Sequence, residues 1–224
     1  MNLIIDEIVD LSLPIKSLDT PMYPGFPQPQ KQPFATIKEP GALSYLWTLV
    51  DHTGTHIDAA AHIVDNGLTV DQLPVSRCVG KGVVLDFSKK SAQSSIGKND
   101  ISTALKLTRH GDAIGPGWIL LFYTGYSAKA RTPEWLDHPA LNEEASEFIA
   151  DLEVNAIGFD APSPDRSPSP AHKILLPKGI GNYENLVNLE RLLEKDFLFV
   201  GEPLPLVGST GSPVRAIAII IGSA

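Results

Sequence analysis

Short apolar runs, separated by glycine, proline and charged residues, recur along the chain and predict a β-rich protein. The runs at 82–87 and 118–124 are apolar except for Asp86 and Thr124, which is typical of strands buried on both faces of a sheet. The segment 4–13 alternates loosely between apolar and polar residues, and it predicts a strand at the edge of a sheet. Further strands are predicted at 44–56, 156–159, 197–200 and 214–221.

Helical patterns are found in three segments, 100–109, 142–152 and 186–193. Asn142 precedes the second of these, which is amphipathic, and its side chain is suited to cap the first turn. Asn99 or Asp100 is the predicted cap of the first helix. Strands interspersed with so few helices predict a mixed α/β fold with a large β component.

The stretch 51–63 reads DHTGTHIDAAAHI and carries its histidines and an aspartate at even-numbered positions, namely His52, His56, Asp58 and His62. Side chains alternate between the two faces of an extended strand, so all four would share one face. Glycine and β-branched residues disfavour a helix here, and we predict a strand that runs into a loop near 59–61. The apolar residues just before it predict that this strand enters the core.

Two imidazoles and a carboxylate on one face suit a divalent metal ion. Zn²⁺ accepts these donors and often keeps an open coordination position in catalytic sites, and Mn²⁺ tolerates the same set. His62 lies just beyond the three ligands, where an unligated imidazole can act as general base on a water at the metal. The alternative is that these histidines are ordinary strand residues. Three histidines and an aspartate in one register make that alternative the weaker one.

Two other segments hold candidate site residues. The proline-rich loop 20–33 contains Tyr23 and Phe26, and it is either a surface loop or an aromatic wall over the site. His172 follows a second Pro/Ser-rich loop, and Glu184 comes twelve residues later. His172 is either exposed or a ligand, and Glu184 either caps a following helix or completes a metal site with His172.

Composition narrows the class of protein. The 224 residues carry a formal net charge of −8, which argues against nucleic acid as the main partner. Cys78 is the single cysteine, so an internal disulfide cannot form, and we expect a reducing, cytoplasmic location. The apolar runs are too short to cross a membrane, and the acidic N-terminal segment does not resemble a signal peptide. We predict that residues 1–224 form one domain.

The segment HTGTHIDAAAH resembles the H-x-G-T-H-x-D-x-P-x-H signature of the metal-dependent cyclase family, which includes bacterial kynurenine formamidases and isatin hydrolases. Weaker similarities follow in the family's order along nearly the whole chain, at TPMYPG, FYTGY, GFDAPSPD, ENLVNL and GSPVRAIAI. Two positions depart from the family pattern. Ala60 stands where proline is usual, and Phe26 stands where many members have a polar residue.

The resemblance implies a swivelling β/β/α fold and a homo-oligomer, either a dimer or a tetramer. It implies that the first two histidines and the aspartate of the signature bind metal, with His62 as the catalytic acid and base. It also implies that His172 and Glu184 complete a second metal site. One or two Zn²⁺ or Mn²⁺ ions would then be held by each subunit.

Three functions are consistent with these features. The first is cleavage of the C–N bond of a small aromatic amide, as in N-formylkynurenine formamidase. The second is hydrolysis of a cyclic amide or lactone, as in isatin hydrolase, and the sequence leaves these two open because the shape of the pocket decides between them. The third is a metal-binding protein without turnover, which does not need an unligated histidine beside its ligands. Tyr23, Phe26 and Trp47 are candidates for stacking against an aromatic substrate.

Overall fold

Residues 4–222 are described by a computed structural model that contains a nine-stranded sheet, two smaller sheets and three α-helices. The strands are β1 (Ile5–Asp10), β2 (Gln30–Ala35), β3 (Ser44–Thr48), β4 (His56–Asp58), β5 (Val79–Asp86), β6 (Ser95–Ile96), β7 (Trp118–Tyr123), β8 (Ala140–Leu141), β9 (Ala156–Phe159), β10 (Gly181–Glu184), β11 (Phe197–Val200), β12 (Gly211–Pro213) and β13 (Ile217–Ile221). The helices are α1 (Lys98–Leu107), α2 (Glu143–Asp151) and α3 (Pro170–Leu175). None of the helices within 4–222 combines the length and apolar character needed to span a membrane.

The large sheet has the strand order β1-β13-β11-β5-β7-β9-β10-β4-β12. Its middle strands β5, β7, β9 and β10 are parallel, and antiparallel strands flank them on both sides. β1 lies at one edge, as the loose alternation of 4–13 predicts. The predicted class, a β-rich mixed α/β fold, is confirmed.

Hydrophobic side chains pack on both faces of this sheet. Leu120 and Phe122 of β7 lie on the helical side, where α1, α2 and α3 cover the sheet. Ile119 and Leu121 point to the opposite face and pack against β1, β11 and β13. All four side chains are fully buried, which explains why β7 has no polar alternation in the sequence.

The cap of α2 is confirmed, whereas the cap of α1 is not the predicted one. The side chain of Asn142 accepts a hydrogen bond of 2.9 Å from the backbone N–H of Ala145. In α1, Gly97 occupies the cap position and Asp100 lies inside the first turn. The Asp100 carboxylate accepts the N–H of Gly97 at 2.8 Å, so it acts from within the helix and not from its end.

The continuous strand predicted at 44–56 is wrong. β3 ends at Thr48 and pairs with β2 in a separate hairpin, and β4 begins only at His56. Gly54 between them has φ of +66°, a left-handed conformation that an extended strand cannot include. The expectation that 46–50 enters the core is also wrong, because Leu46 is 50% exposed on the hairpin.

Two other predicted boundaries are corrected. The last residues of the predicted loop 20–33 belong to β2, which pairs with β3 although it contains Pro33. The helix predicted at 186–193 is only a 3₁₀ turn, Leu189–Leu192. Asn188 has φ of +61°, and this left-handed residue prevents an α-helix from starting earlier.

Candidate metal centre

The pairing of β4 with β10 builds the centre. The two strands are antiparallel, and His56 lies directly opposite Glu184 while Asp58 lies opposite Asn182. Opposed residues project from the same face of a sheet, so the strands bring the imidazole and both carboxylates together. Helix α3, which follows β9, adds His172 from above this face. His56, Asp58, His172 and Glu184 are buried to more than nine-tenths.

His52 reaches the same place from the turn before β4, and not by sharing a strand face with His56. The left-handed Gly54 reverses the chain, and its carbonyl accepts a hydrogen bond of 2.9 Å from Nδ1 of His56. The His52 ring then lies over Gly211 of β12. The even-numbered spacing of 51–63 therefore identified the residues that meet. The shared strand face inferred for them is correct for His56 and Asp58 of β4, and wrong for His52 and His62, which lie in turns on either side of that strand.

Asp58 is at the middle of the cluster. Its Oδ1 lies 2.7 Å from Nδ1 of His52 and 3.4 Å from Nε2 of His56, and its Oδ2 lies 3.5 Å from Nε2 of His172. Glu184 lies 3.5 Å from both His56 and His172. Two sets of three donor atoms result, each within 4.8 Å of one another: His52–His56–Asp58 and Asp58–His172–Glu184.

The donor chemistry of the cluster fits a divalent cation. Both Asp58 oxygens are inaccessible to solvent, and neither has a hydrogen bond of acceptable geometry to any described residue. A buried carboxylate in that state is costly unless a cation neutralises it. Nitrogen and oxygen donors in this combination are those that Zn²⁺ and Mn²⁺ accept.

The electrostatics of the cluster agree with this fit. Burial alone would raise the pKa of Asp58, but the imidazoles around it hold that pKa well below its usual range. Burial would likewise lower the pKa of His56 and His172, yet the carboxylates raise these values to about 9 and about 12. The centre therefore attracts positive charge, which either protons or a metal ion can supply.

His62 is next to the cluster but outside both sets of donors. It belongs to the 3₁₀ turn Ala60–His62, and its ring centroid lies 4.2 Å from that of His52 and 5.9 Å from that of His172. Its ring has no hydrogen bond or ion pair with another residue in 4–222. Burial lowers its pKa and the neighbouring histidines add to that effect, although Asp58 opposes it. The ring is therefore neutral near pH 7, and neither of its nitrogens is engaged by a described residue, as a general base requires.

A cavity of about 230 Å³ opens onto the cluster. Tyr23 and Phe26 line it, and Phe26 stacks on His52 with a centroid distance of 6.3 Å. The loop 20–33 is therefore an aromatic wall beside the site as well as a surface loop. Trp47 lies outside this cavity because β3 belongs to the separate hairpin, where Lys31 packs over its ring.

The residues that hold the histidines in place are distant in sequence or carry no motif of their own. Asp165 contacts His172, and Thr210 connects His52 to Asp51. Thr210 is more than 150 positions from its partners, and no local periodicity marks such a contact. Asp165 lies in the loop after β9, seven positions before His172. Its closeness in sequence to a candidate metal ligand was the one feature that could have identified it.

Gly211 makes room for His52, and this predicts the effect of an added methyl group. A Cβ at position 211 would lie 2.7 Å from Cε1 of His52 and 2.9 Å from the carbonyl oxygen of Ile57. We expect Gly211→Ala to displace the ring and to weaken metal binding at the His52–His56–Asp58 position by about 5- to 150-fold, the equivalent of about 1–3 kcal/mol of overpacking. Calorimetric metal titration measures this change.

The matched control is Gly115→Ala, because a Cβ there meets nothing closer than 3.5 Å. Unchanged metal affinity in Gly211→Ala would show that His52 does not need this space to bind.

Comparisons with known proteins agree with the geometry. The model of the "Putative cyclase" family matches residues 9–166. The kynurenine formamidase of Salinibacter ruber is 33% identical over 176 residues, which are 75% of this chain and 76% of that protein. Isatin hydrolase A from Labrenzia aggregata, bound to benzyl benzoate, has a similar structure, with a TM-score of 0.84, 26% identity and coverage of 96% of this chain and 94% of its own.

A second solved structure, described as a potential metal-dependent hydrolase with cyclase activity, is similar over 97% of this chain and 99% of its own. Its TM-score is 0.78 and its sequence identity is 29%. The similarity to both structures therefore extends over the whole region that contains β4, α3 and β10.

Proposed function

The chain belongs to the cyclase family, and from this premise we propose that it hydrolyses the C–N amide bond of a small aromatic substrate at a divalent metal centre. The observation that carries the proposal is the position of Asp58, a buried carboxylate shared by two sets of donors, beside the unligated ring of His62. The similarity to a kynurenine formamidase and to an isatin hydrolase supports amide cleavage. The similarity to a metal-dependent hydrolase supports the metal.

In this proposal His52, His56 and Asp58 hold one ion, and Asp58 with His172 and Glu184 holds a second. A bound Zn²⁺ or Mn²⁺ ion would polarise the scissile carbonyl and lower the pKa of a water molecule. The protein contributes rigid positions for the ligands, since β4 and β10 are paired strands of the main sheet. Donors fixed in advance are a main source of transition-state stabilisation.

His62 transfers the proton. Its neutral ring takes a proton from the attacking water and returns it to the leaving nitrogen, so that the amine departs uncharged. Ile63 and the aromatic residues of the loop 20–33 line the same cavity and place apolar side chains beside this exchange. Metal storage alone does not require such an imidazole, which favours an enzyme over a non-catalytic metal-binding protein.

The substrate we favour is an aryl formamide, with an aromatic ring against Tyr23 and Phe26. The apolar ring of Phe26 offers a stacking surface of the kind that aromatic substrates use. Hydrolysis of a cyclic amide, as the name isatin hydrolase implies for that relative, is the second candidate because the same residues can perform it.

A substrate panel with metal analysis tests the proposed function. The full-length protein, loaded with Zn²⁺ or Mn²⁺ and assayed on N-formylkynurenine, formanilide and isatin, is expected to cleave the formamides and to lose activity on chelation. Cleavage of isatin alone would replace the formamidase assignment with the cyclic-amide one. Failure to bind either metal ion would contradict the proposed function as a whole.

We also propose a homo-oligomer. The β2–β3 hairpin presents large apolar side chains to solvent, among them Phe34 at 78% and Ile37 at 72% exposure. Exposed apolar groups in such a cluster are typical of protein interfaces. The number of subunits and the cytoplasmic location stay predictions.

A further inference from the structure

We propose that Asp165 is a positioning residue that sets the affinity of the Asp58–His172–Glu184 metal position, and leaves the His52–His56–Asp58 position unaffected. This inference rests on the proposed metal function. Asp165 belongs to neither set of donors, and the two metal positions differ in the residues that contact their histidines from outside the centre.

Asp165 holds His172 at two points. Its Oδ1 lies 3.0 Å from Nδ1 of the ring, and its Oδ2 accepts the backbone N–H of His172 at 3.0 Å. Both residues are more than nine-tenths buried. One carboxylate thus fixes the ring and the backbone that carries it, and Nδ1 is the nitrogen that bears the proton. Nε2 faces Asp58 and Glu184, each 3.5 Å away, and a metal ion bound there would take the place of its proton.

Asp165 makes its closest contact with a charged or titratable side chain at His172. Within 4–222 the carboxylate has no Lys or Arg partner within 4.0 Å, and the hydroxyl of Ser163 is its other hydrogen-bonding side chain. Its charge also acts on the buried His138, which belongs to neither metal position. A carboxylate that accepts from the outer nitrogen of an imidazole makes the inner nitrogen a stronger metal ligand. Asp165 therefore does more than fill space beside the ring.

The histidines of the other position are held differently. Nδ1 of His56 contacts the carbonyl oxygen of Gly54 at 2.9 Å. Nε2 of His52 lies 3.0 Å from the hydroxyl of Thr210, and that hydroxyl donates to Asp51 at 3.0 Å. Neither ring has a carboxylate at hydrogen-bond distance on its outer side, since the nearest oxygen of Asp51 is 3.7 Å from His52. Removing one negative charge at Asp165 therefore acts on one metal position only.

Asp165→Asn is the sharpest test, because the amide keeps the size and an acceptor oxygen but removes the charge. We expect the affinity for the second ion to fall about 10- to 100-fold, and the affinity for the first to change by less than about threefold. The full-length protein, freed of metal by chelation, is titrated with Zn²⁺ alone in a calorimeter. Thermal melting of the metal-free variants verifies that they are folded.

Asp51→Asn is the matched control, since it removes a carboxylate that supports His52 through Thr210. It is expected to weaken the first ion and to leave the second at its wild-type affinity. Asp165→Ser, a smaller side chain that still offers an acceptor, serves if the Asn variant does not fold. Nitrogen-15 shifts of the His172 ring give a second readout, because loss of the charge changes the proton distribution between Nδ1 and Nε2.

The outcomes separate this inference from the proposed function. Wild-type affinities for both ions in Asp165→Asn, or an equal loss of both in a folded protein, would overturn the role of Asp165. A wild-type protein that binds a single ion would also overturn it while a one-metal hydrolase would still stand. Absence of any metal binding in the wild type would contradict the proposed function itself.

Discussion

Replacing His62 with alanine is expected to lower kcat for amide hydrolysis by about 10²- to 10⁴-fold, the range that a positioned general acid and base contributes. Both metal positions should stay intact, because the His62 ring belongs to neither set of donors. Steady-state kinetics on the preferred formamide measure the loss, and metal analysis of the same sample measures the retained ions. Loss of the metal together with activity would show instead that His62 is a ligand.

The pH profile distinguishes the loss of a base from a general disturbance of the site. A base works only when it is neutral, so activity rises as pH increases through its pKa. Burial lowers the pKa of His62 from 6.5, so the acid limb of kcat/KM in the wild type should lie below pH 6.5. His62→Ala should lose this limb. The matched control is His110→Ala. His110 lies just after α1, pairs with Asp196 and lines no part of the cavity.

Asp58→Asn is expected to remove both metal ions, whereas Glu184→Gln should weaken only the second. Asp58 is the one residue present in both sets of donors. An amide lacks the negative charge that offsets a divalent cation, and metal ions contribute several kcal/mol to such reactions. At 1.36 kcal/mol for each factor of ten, the loss of activity should exceed about 10³-fold. Metal titration and kinetics measure the two effects.

Thermal melting gives an independent readout of the Asp58 prediction. A ligand that binds only the folded state raises its stability, so added Zn²⁺ should raise the melting temperature of the wild type. The same addition should leave Asp58→Asn unchanged and raise Glu184→Gln by a smaller amount. Two ions bound with wild-type affinity to Asp58→Asn would refute its shared role.

Local signals predicted the elements that are buried in the main sheet. The middle of β5, at 83–85, and the whole of β7 are continuously apolar because both faces of the sheet are covered there, so their residue types follow directly from their burial. The Asn142 cap is likewise a contact within four residues. Where the prediction failed, a distant part of the chain or a single backbone angle decided the outcome. β3 pairs with β2 in a separate hairpin and does not join the main sheet. The left-handed φ of Asn188 limits the last predicted helix to a 3₁₀ turn.

The sequence by itself determined which residues are available for the chemistry, since the two histidines and the aspartate of 51–58 lie within seven positions and their residue types suit a divalent metal. Only the tertiary structure decided how they meet. His52 arrives through the turn at Gly54, Glu184 through the pairing of β10 with β4, and His172 through the packing of α3. His172 and Glu184 are more than a hundred residues from Asp58 and His56 in the sequence, and contacts over such a separation leave no periodic trace in either segment.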